Sequence, residues 1–388
     1  MSSTSDRHSI LRANLPDKPP RVLIAALSGR ALAAAARRAG YSPLVADLFG
    51  DEDLRAVATI YMRTGGNLKT GLDGPALKES LTRLAAGTGS EGLVWGAGFE
   101  DRPEVLARLA EAWPILGNGA DVVRRTKSPF HLAALCAESG VAHPQIRETC
   151  PADSRDWVRK TMGGSGGTHV RSASQVISPS GGAYYQRKVA GRAVSALFLA
   201  NGQEVAILGF TAQWSNPTRE APLRYGGAVR PAGIDPRQKR ALSQSVDRVS
   251  RALGLRGLNS ADFLIEDHAL WLIEINPRPG ATLDLFDSAS APLFAMHIEA
   301  CRGSLPARAP RNSGAAAAAF VYATRRIPVF PTLDWPEWAV DRQRAGSCVN
   351  AGEPLCTVGA KASSAVVARA SVEERVRAIR ALAQGEQI

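Results

Sequence analysis

The chain is poor in lysine. Of its 47 basic residues only eight are lysines and the rest are arginines, against 36 Asp and Glu, for a formal net charge of +11. The arginines are spread along the whole sequence, with no basic run and no basic helix. Nucleic-acid binders gather their charge on one face, so the excess reads as solvated surface and as affinity for an anionic small molecule, with no nucleic-acid partner. Scarcity also makes each lysine in an unusual context informative. Cysteine is sparse as well. Cys136, Cys150, Cys301, Cys348 and Cys356 are odd in number, scattered, and without a C-x-x-C pair. That argues against a disulfide framework or a thiolate zinc centre and fits a reducing cytoplasm. No stretch reaches the ~18 uncharged apolar residues a membrane helix needs. Residues 1–20 lack the apolar segment of a secretory signal and read as a disordered arm. The expected location is cytoplasmic, with no membrane partner.

What is present is ordinary globular material. Hydrophobic residues make up 45% and charged residues 21% of 388. At about 150 residues per domain, the length fits two to three domains. Arg21-Val-Leu-Ile-Ala-Ala-Leu27 is a buried strand, residues 30–39 an alanine-rich helix, and 44–48 a second strand, which together imply a parallel sheet. Helices over 75–86 and 103–112 and strands over 92–96 and 115–117 complete an open α/β domain over 21–120. A nicotinamide-binding loop would need G-x-G-x-x-G after the first strand. Ser28-Gly29 offers one glycine, and Asp47 is only a lone acid at a strand end. Residues 121–140 read as helical with a start signal at Ser128-Pro129, 156–212 as strands and turns, and 217–236 as a long loop. A helix over 236–253 precedes two strands near 258–266 and 270–275. The alanine run 314–320 reads as a linker or a buried strand entry. Residues 320–388 read as β-rich, closing with a helix over 371–383.

Three features carry chemistry. The first is the hairpin Asp262-Phe-Leu-Ile-Glu-Asp-His-Ala-Leu-Trp-Leu-Ile-Glu274-Ile-Asn276-Pro-Arg278. Alternation along a strand puts Glu274, Asn276 and Arg278 on one face, and the hairpin brings Asp262 beside them. Two carboxylates, an amide oxygen and a guanidinium suit a hard cation whose shell is completed by phosphates; the alternative is a solvated, ion-paired sheet face. The second is a strand from Trp157 to Lys160 that runs into Gly163-Gly164-Ser165-Gly166-Gly167 and then His169. Such glycines let backbone N–H groups close on phosphate oxygens, although a plain flexible turn has the same composition. The third is Lys127, placed at the start of a helix, where anions are favoured.

In this order the three resemble the ATP-grasp superfamily over residues 21–290. The resemblance implies a mixed α/β and α+β architecture: an N-terminal open parallel α/β domain over 21–120 and a two-subdomain ATP-binding core over 121–310. A lid over 150–195 and a small β-rich module over 311–388 complete it. It implies ATP and Mg2+ (or Mn2+) as cofactors. Lys127 and Lys160 would contact the α- and β-phosphates, and Gly163 to Gly167 would cover the β- and γ-phosphates. Asp262, Glu274 and Asn276 would hold the metal. Arg278 and Lys160 would act in catalysis, and Trp157 and the strand 184–189 would flank adenine through Gln186, Lys188 and Val189. Two positions depart from the family pattern: Gln186 stands where an acid is common, and Ala193 where a ribose-binding Glu often stands. Arg278, with Arg224 in Leu223-Arg-Tyr-Gly-Gly227, is a candidate carboxylate clamp; a solvated arginine is the alternative for Arg224.

The segment 341–360 resembles a subgroup of ATP-grasp ligases related to biotin carboxylase. The resemblance connects it with one-carbon cofactor biosynthesis in methylotrophs, through methylofuran and tetrahydromethanopterin. The implied activity is an ATP- and Mg-dependent ligase that joins a carboxylate, L-glutamate first, to an amine through an acyl phosphate, in a homodimer. The rivals are an ATP-grasp kinase, a non-catalytic ATP-binding regulatory module, and a carboxylase. A carboxylase would need biotin, and Lys361 is not in a Met-Lys-Met setting.

Overall fold

A computed structural model describes residues 19–68, 70–87, 89–175, 182–267 and 269–384. Residues 1–18 of the expected arm and His268 of the hairpin turn lie outside the described residues. The chain begins with β1 (Arg21–Ala26), α1 (Arg30–Arg38), β2 (Ser42–Asp47), α2 (Leu54–Val57) and β3 (Ile60–Arg63). A short ladder of β4 (Gly66–Asn67) and β5 (Gly71–Leu72) follows, then α3 (Gly74–Ala85), β6 (Leu93–Trp95) and α4 (Pro103–Ala110). Four of these strands form a parallel sheet in the order β3-β2-β1-β6. The alanines of α1 are dictated by proximity: Ala33, Ala35 and Ala36 are fully buried between sheets. The expected strand at 115–117 is reduced to a bridge between Ile115 and Leu93.

Two helices, α5 (Ala120–Lys127) and α6 (Pro129–Glu138), replace the single helical stretch read over 121–140. Ser128 divides them and caps α6 by accepting the N–H of His131. A small antiparallel sheet in the order β7-β10-β8-β9 comes next, made of β7 (Ile146–Arg147), β8 (Trp157–Thr161), β9 (Val170–Ser172) and β10 (Ala183–Arg187).

The rest is organised by one eight-stranded sheet, ordered β15-β14-β11-β12-β13-β16-β18-β17. Its strands are β11 (Arg192–Asn201), β12 (Val205–Ser215), β13 (Tyr225–Arg230), β14 (Arg256–Glu266), β15 (Ala269–Asn276), β16 (Ala315–Tyr322), β17 (Ala339–Val340) and β18 (Pro354–Ala362). Helices α7 (Pro236–Leu253), α8 (Leu283–Phe286), α9 (Leu293–Cys301) and α10 (Ala365–Gln384) pack around it. Helix α7 has the start its sequence announces, a capping box between Asp235 and Gln238, and it stops at Gly254 in the left-handed region. Residues 217–236 are not one loop, because they contain β13. Its glycines hid the strand: a Cβ on Gly227 would lie 2.3 Å from Trp214, so only glycine lets that indole lie across the ladder. The alanine run is a buried strand, β16, and the last helix begins at Ala365 rather than 371.

Alternation sorts the faces of the large sheet. Val194, Ala196 and Phe198 pack with Leu242, Val246 and Val249 of α7. Leu197, Leu199 and Leu258 pack with the α1 alanines and with α9. Burial of each such Leu or Phe stabilises by roughly 1.5–3 kcal/mol. Asp262 shares the parity of Leu258, so it opens toward the N-terminal sheet.

Candidate functional site

The hairpin of β14 and β15 sets Asp262 opposite Glu274 and Ser260 opposite Asn276, with a register shift just after Asp262. That shift brings three oxygen-bearing side chains together on the cleft side. Asn276 Nδ2 donates to Asp262 Oδ2 at 3.1 Å, and Gln213 Nε2 reaches Asp262 Oδ1 at 3.5 Å. Lys127, the last residue of α5, donates from Nζ to Asn276 Oδ1 at 2.9 Å and also to Glu274 Oε1. Its ammonium therefore sits against two of the oxygens expected to hold a cation. Burial and the neighbouring Glu274 push Asp262 up to about 6, against a hydrogen bond from Ser195 and the charges of Lys127 and Arg278. Burial also opposes the charge on Glu274, but Lys127, His169 and Lys160 outweigh it and hold that carboxyl below its usual value.

The small sheet supplies the opposite wall. On β8, Lys160 pairs with Tyr184 and Val158 with Gln186 of β10, so alternation puts these four on one face. Lys160 is buried. Burial and Lys127 lower its pKa, while the charges of Glu274 and Asp262 oppose them. Tyr184, which the sequence reading did not single out, also feels Glu274. Trp157 and Arg159 have the other parity. Trp157, expected beside adenine, instead packs with Ala173 and Tyr185 and is stacked by Arg147 at 5.4 Å. Gln186 is 3% exposed, and its Nε2 is buried with no hydrogen-bond partner among the described residues. Lys188 is exposed and turned outward, its N–H bonded to Asp156 O at 2.7 Å and its Nζ to Arg155 O at 2.6 Å. Val189 is half-buried beside it.

The glycine-rich loop rests on both neighbours. Gly163 and Gly167 have φ near +71°, where a side chain is strained. A Cβ on Gly163 would lie 2.5 Å from Asp101 Cα, and one on Gly167 would lie 1.9 Å from Leu223 O. Gly164 lies against His169, whose ring meets Ser165 O at 3.3 Å, and Gly166 O accepts the Tyr225 N–H at 2.9 Å.

Arg278 lies just beyond β15. Its Nε donates to Glu100 Oε1 at 2.5 Å, and Glu100 Oε2 takes the N–H groups of Gly98 and Phe99 at 2.8 and 3.0 Å. Burial disfavours the Glu100 charge, yet Arg278, Lys127 and those amides hold its pKa down to about 2. Asn118 fixes the segment before Arg278. It donates to Pro277 O at 2.8 Å and to Asn259 Oδ1 at 2.7 Å, and accepts from Arg256 N at 2.8 Å. Sequence reasoning missed both residues. The available signal was the position of Glu100 just past the carboxyl end of β6, where open α/β sheets gather ligands. Arg224 is bonded to Asn216 and Gly352 and to no member of the hairpin group.

The donor chemistry fits a hard divalent cation. Among the described residues no three His, Cys, Asp or Glu side chains converge on a metal-sized site. The hairpin offers two carboxylates and one amide oxygen, the partial set magnesium takes when phosphates supply the rest. All five cysteines are free thiols, and no helix among the described residues is long and apolar enough to cross a membrane.

Residues 130–282 match the family model of the ATP-grasp domain. No curated protein sequence matches the chain. Among solved structures, the biotin carboxylase domain dimer of 2-oxoglutarate carboxylase from Hydrogenobacter thermophilus, in complex with MgADP, ADP and bicarbonate, aligns with a TM-score of 0.70. The identity is 14%, over 92% of this chain and 90% of that one. N5-carboxyaminoimidazole synthetase from Staphylococcus aureus, complexed with ADP, aligns with a TM-score of 0.67 at 16% identity, over 94% and 98%. Rhizobium etli pyruvate carboxylase aligns with a TM-score of 0.69 at 17% identity, and the chain spans 37% of its length. The chain thus carries an ATP-grasp domain within a biotin carboxylase-like fold.

Proposed function

We propose that this ATP-grasp chain is an ATP- and magnesium-dependent ligase that joins a carboxylate to an amine and releases ADP and phosphate. The observation that carries the reading is the Lys127 ammonium bonded to Glu274 and Asn276, with Asp262 beside them. A cation occupies that oxygen set, and it is carried by a side chain at the end of a helix. Asp262, Glu274 and Asn276 would hold magnesium, which when bound neutralises phosphate charge and orients the γ-phosphoryl group. Lys127 and Lys160 would bind the phosphates, the loop Gly163 to Gly167 would cover them and exclude water, and Gln186 with the backbone at Lys188 and Val189 would take the base.

A carboxylate oxygen attacks the γ-phosphorus as the bond to the bridging oxygen breaks, giving an acyl phosphate and ADP. The amine nitrogen then adds to the acyl carbon, phosphate leaves, and the amine gives up a proton. Arg278 stabilises the charged acyl phosphate, and Glu100 holds its guanidinium in place. L-Glutamate is the carboxylate to test first, on the resemblance of the C-terminal segment to ligases of methylofuran and tetrahydromethanopterin synthesis. A homodimer is the assembly to test by size-exclusion chromatography.

The deciding experiment follows ADP release from Mg-ATP against pooled carboxylates and amines, with Glu274→Ala as control. Release that needs both substrates and is lost in the variant supports the ligase. Release with one substrate and no amine dependence favours an ATP-grasp kinase. ATP binding without release under every pool favours a regulatory module.

A further inference from the structure

A cavity of about 380 Å3 opens where α6, residues 141–146 and the edge strand β15 meet. Small-molecule sites occupy roughly 300–1,000 Å3. Its lining shares no residue with the nucleotide cleft described above. Ala133 and Ala137 line one side, one turn apart on α6. Their neighbours Leu132 and Cys136 are committed to the core behind them. Methyl side chains at 133 and 137 leave space that a larger residue would fill. Trp271, half-buried on β15, adds an aromatic side. Residues 141–146 are pinned to both sheets. Ala142 O accepts the Leu272 N–H of β15 at 2.9 Å, and Gln145 O accepts the Arg187 N–H of β10 at 2.8 Å. The cavity is therefore shaped by backbone that is already fixed, and a guest would find it formed.

His143 gives the cavity its polar feature. Its Nδ1 lies 2.7 Å from Pro144 O. A carbonyl only accepts, so Nδ1 carries the proton, and Nε2 of the neutral ring is left as an acceptor. Nothing among the described residues donates to that nitrogen. Burial, joined by the Lys160 charge and opposed by the Pro144 bond, takes the His143 pKa down to about 4, so the ring is neutral at neutral pH. No lining side chain then carries a charge. An ionic guest would lose hydration there and gain no counter-charge. A flat apolar ring would gain contact with Trp271 and the two alanines, and one N–H or O–H on that ring would meet His143 Nε2.

We infer that this cavity is a binding site for a neutral, planar heteroaromatic molecule that carries an N–H or O–H donor, with His143 Nε2 as its acceptor and Trp271 beside its ring. The site does not depend on the ligase reading. It touches the nucleotide cleft only through the backbone, since Ile146 at its edge pairs with Gln186 of β10.

The test is a ligand-detected NMR titration of the full chain with indole, which has the donor, and with 1-methylindole, which lacks it. Indole should bind wild type at one saturable site, about two- to tenfold more tightly than 1-methylindole. His143→Phe keeps the ring and loses the acceptor, and should bind the two probes equally. Ala137→Leu should abolish binding of both. Ala137 is exposed, so the helix accommodates the leucine and circular dichroism should match wild type. Ala134→Leu, at an exposed alanine of the same helix outside the cavity, should bind as wild type. The inference is overturned if neither probe saturates, if Ala137→Leu binds as wild type, if both leucine variants lose binding equally, or if the preference for indole survives in His143→Phe.

Discussion

Two groups of carboxylates face the interior of this molecule, and they are built differently. Around Arg30, five aspartates come from three stretches of the chain. Asp341 and Asp284 take its Nε and Nη2 at 2.8 and 2.5 Å. Asp47 takes the N–H groups of Gly29 and Gly50 at 2.9 and 3.0 Å, and Asp53 those of Asp341 and Arg342 at 3.1 and 2.9 Å. Asp51 accepts from Ser28 Oγ at 2.6 Å. Backbone amides, a buried guanidinium and one serine hydroxyl engage these oxygens, and the amides and guanidinium cannot leave without unfolding something. At the hairpin no backbone amide among the described residues donates to Asp262 or Glu274. Their partners are side chains, and that of Glu274 is a single lysine at the end of a helix. An acid cluster held by main chain is a fastener; one held by a single side-chain ammonium has oxygens to offer.

The contrast can be broken by substitution. Glu274→Ala should reduce ATP turnover by about 10³-fold or more, read as ADP release, with circular dichroism and melting temperature close to wild type. Arg30→Met should cost about 3–5 kcal/mol of stability by stranding buried carboxylates. Urea unfolding would measure this, and turnover per folded molecule should be retained. Lys127→Ala should lower the melting temperature without metal and enlarge the rise that magnesium produces, because the ammonium no longer competes. Arg30→Met should show no such gain, and equal magnesium responses in the two variants would erase the distinction.

Proton linkage sharpens it further. Asp47 is raised from 3.8 to about 6, chiefly by burial. Its folded form therefore holds a proton the unfolded form has lost, and stability falls as pH rises from about 4 to about 6. Glu100 is lowered from 4.5 to about 2, where the charges of Arg278 and Lys127 and the Gly98 amide outweigh burial. Its stabilisation is complete above about 4.5 and is lost as pH falls toward 2. Asp47→Asn should flatten the upper limb of the stability–pH curve, and Glu100→Gln the lower one. The smallest effect is expected at Gln186. Gln186→Leu should leave stability unchanged or slightly higher, since its buried amide donor has no partner to lose, while ATP affinity falls several-fold in direct titration.

Legibility in the sequence followed the range of the interactions. The hairpin was readable because period-two alternation and its short turn place Asp262 and Glu274 opposite one another with no information from elsewhere. The β1–α1–β2 unit was readable for the same reason. Strand β13 was not, because what makes Gly226 and Gly227 a strand is the Trp214 indole on the neighbouring one. Glu100 was passed over because its partner, Arg278, lies 178 residues away. The Arg30 group was invisible because its five acids share no local pattern. Trp157 has the opposite parity to Lys160 on β8, so its indole packs with Ala173 and Tyr185 on the other face of the small sheet.

The Arg30 fastener also has a clock. Arg30 and Asp341 are 311 residues apart. At about 5–20 residues per second on the ribosome, roughly 15–60 s separate the two syntheses. Through that interval the N-terminal sheet exists with a buried arginine and three aspartates still waiting for the loop that joins them. A nascent chain caught before residue 341 should therefore hold its first sheet loosely, and chaperones or proteases that sample unfinished chains would meet it there.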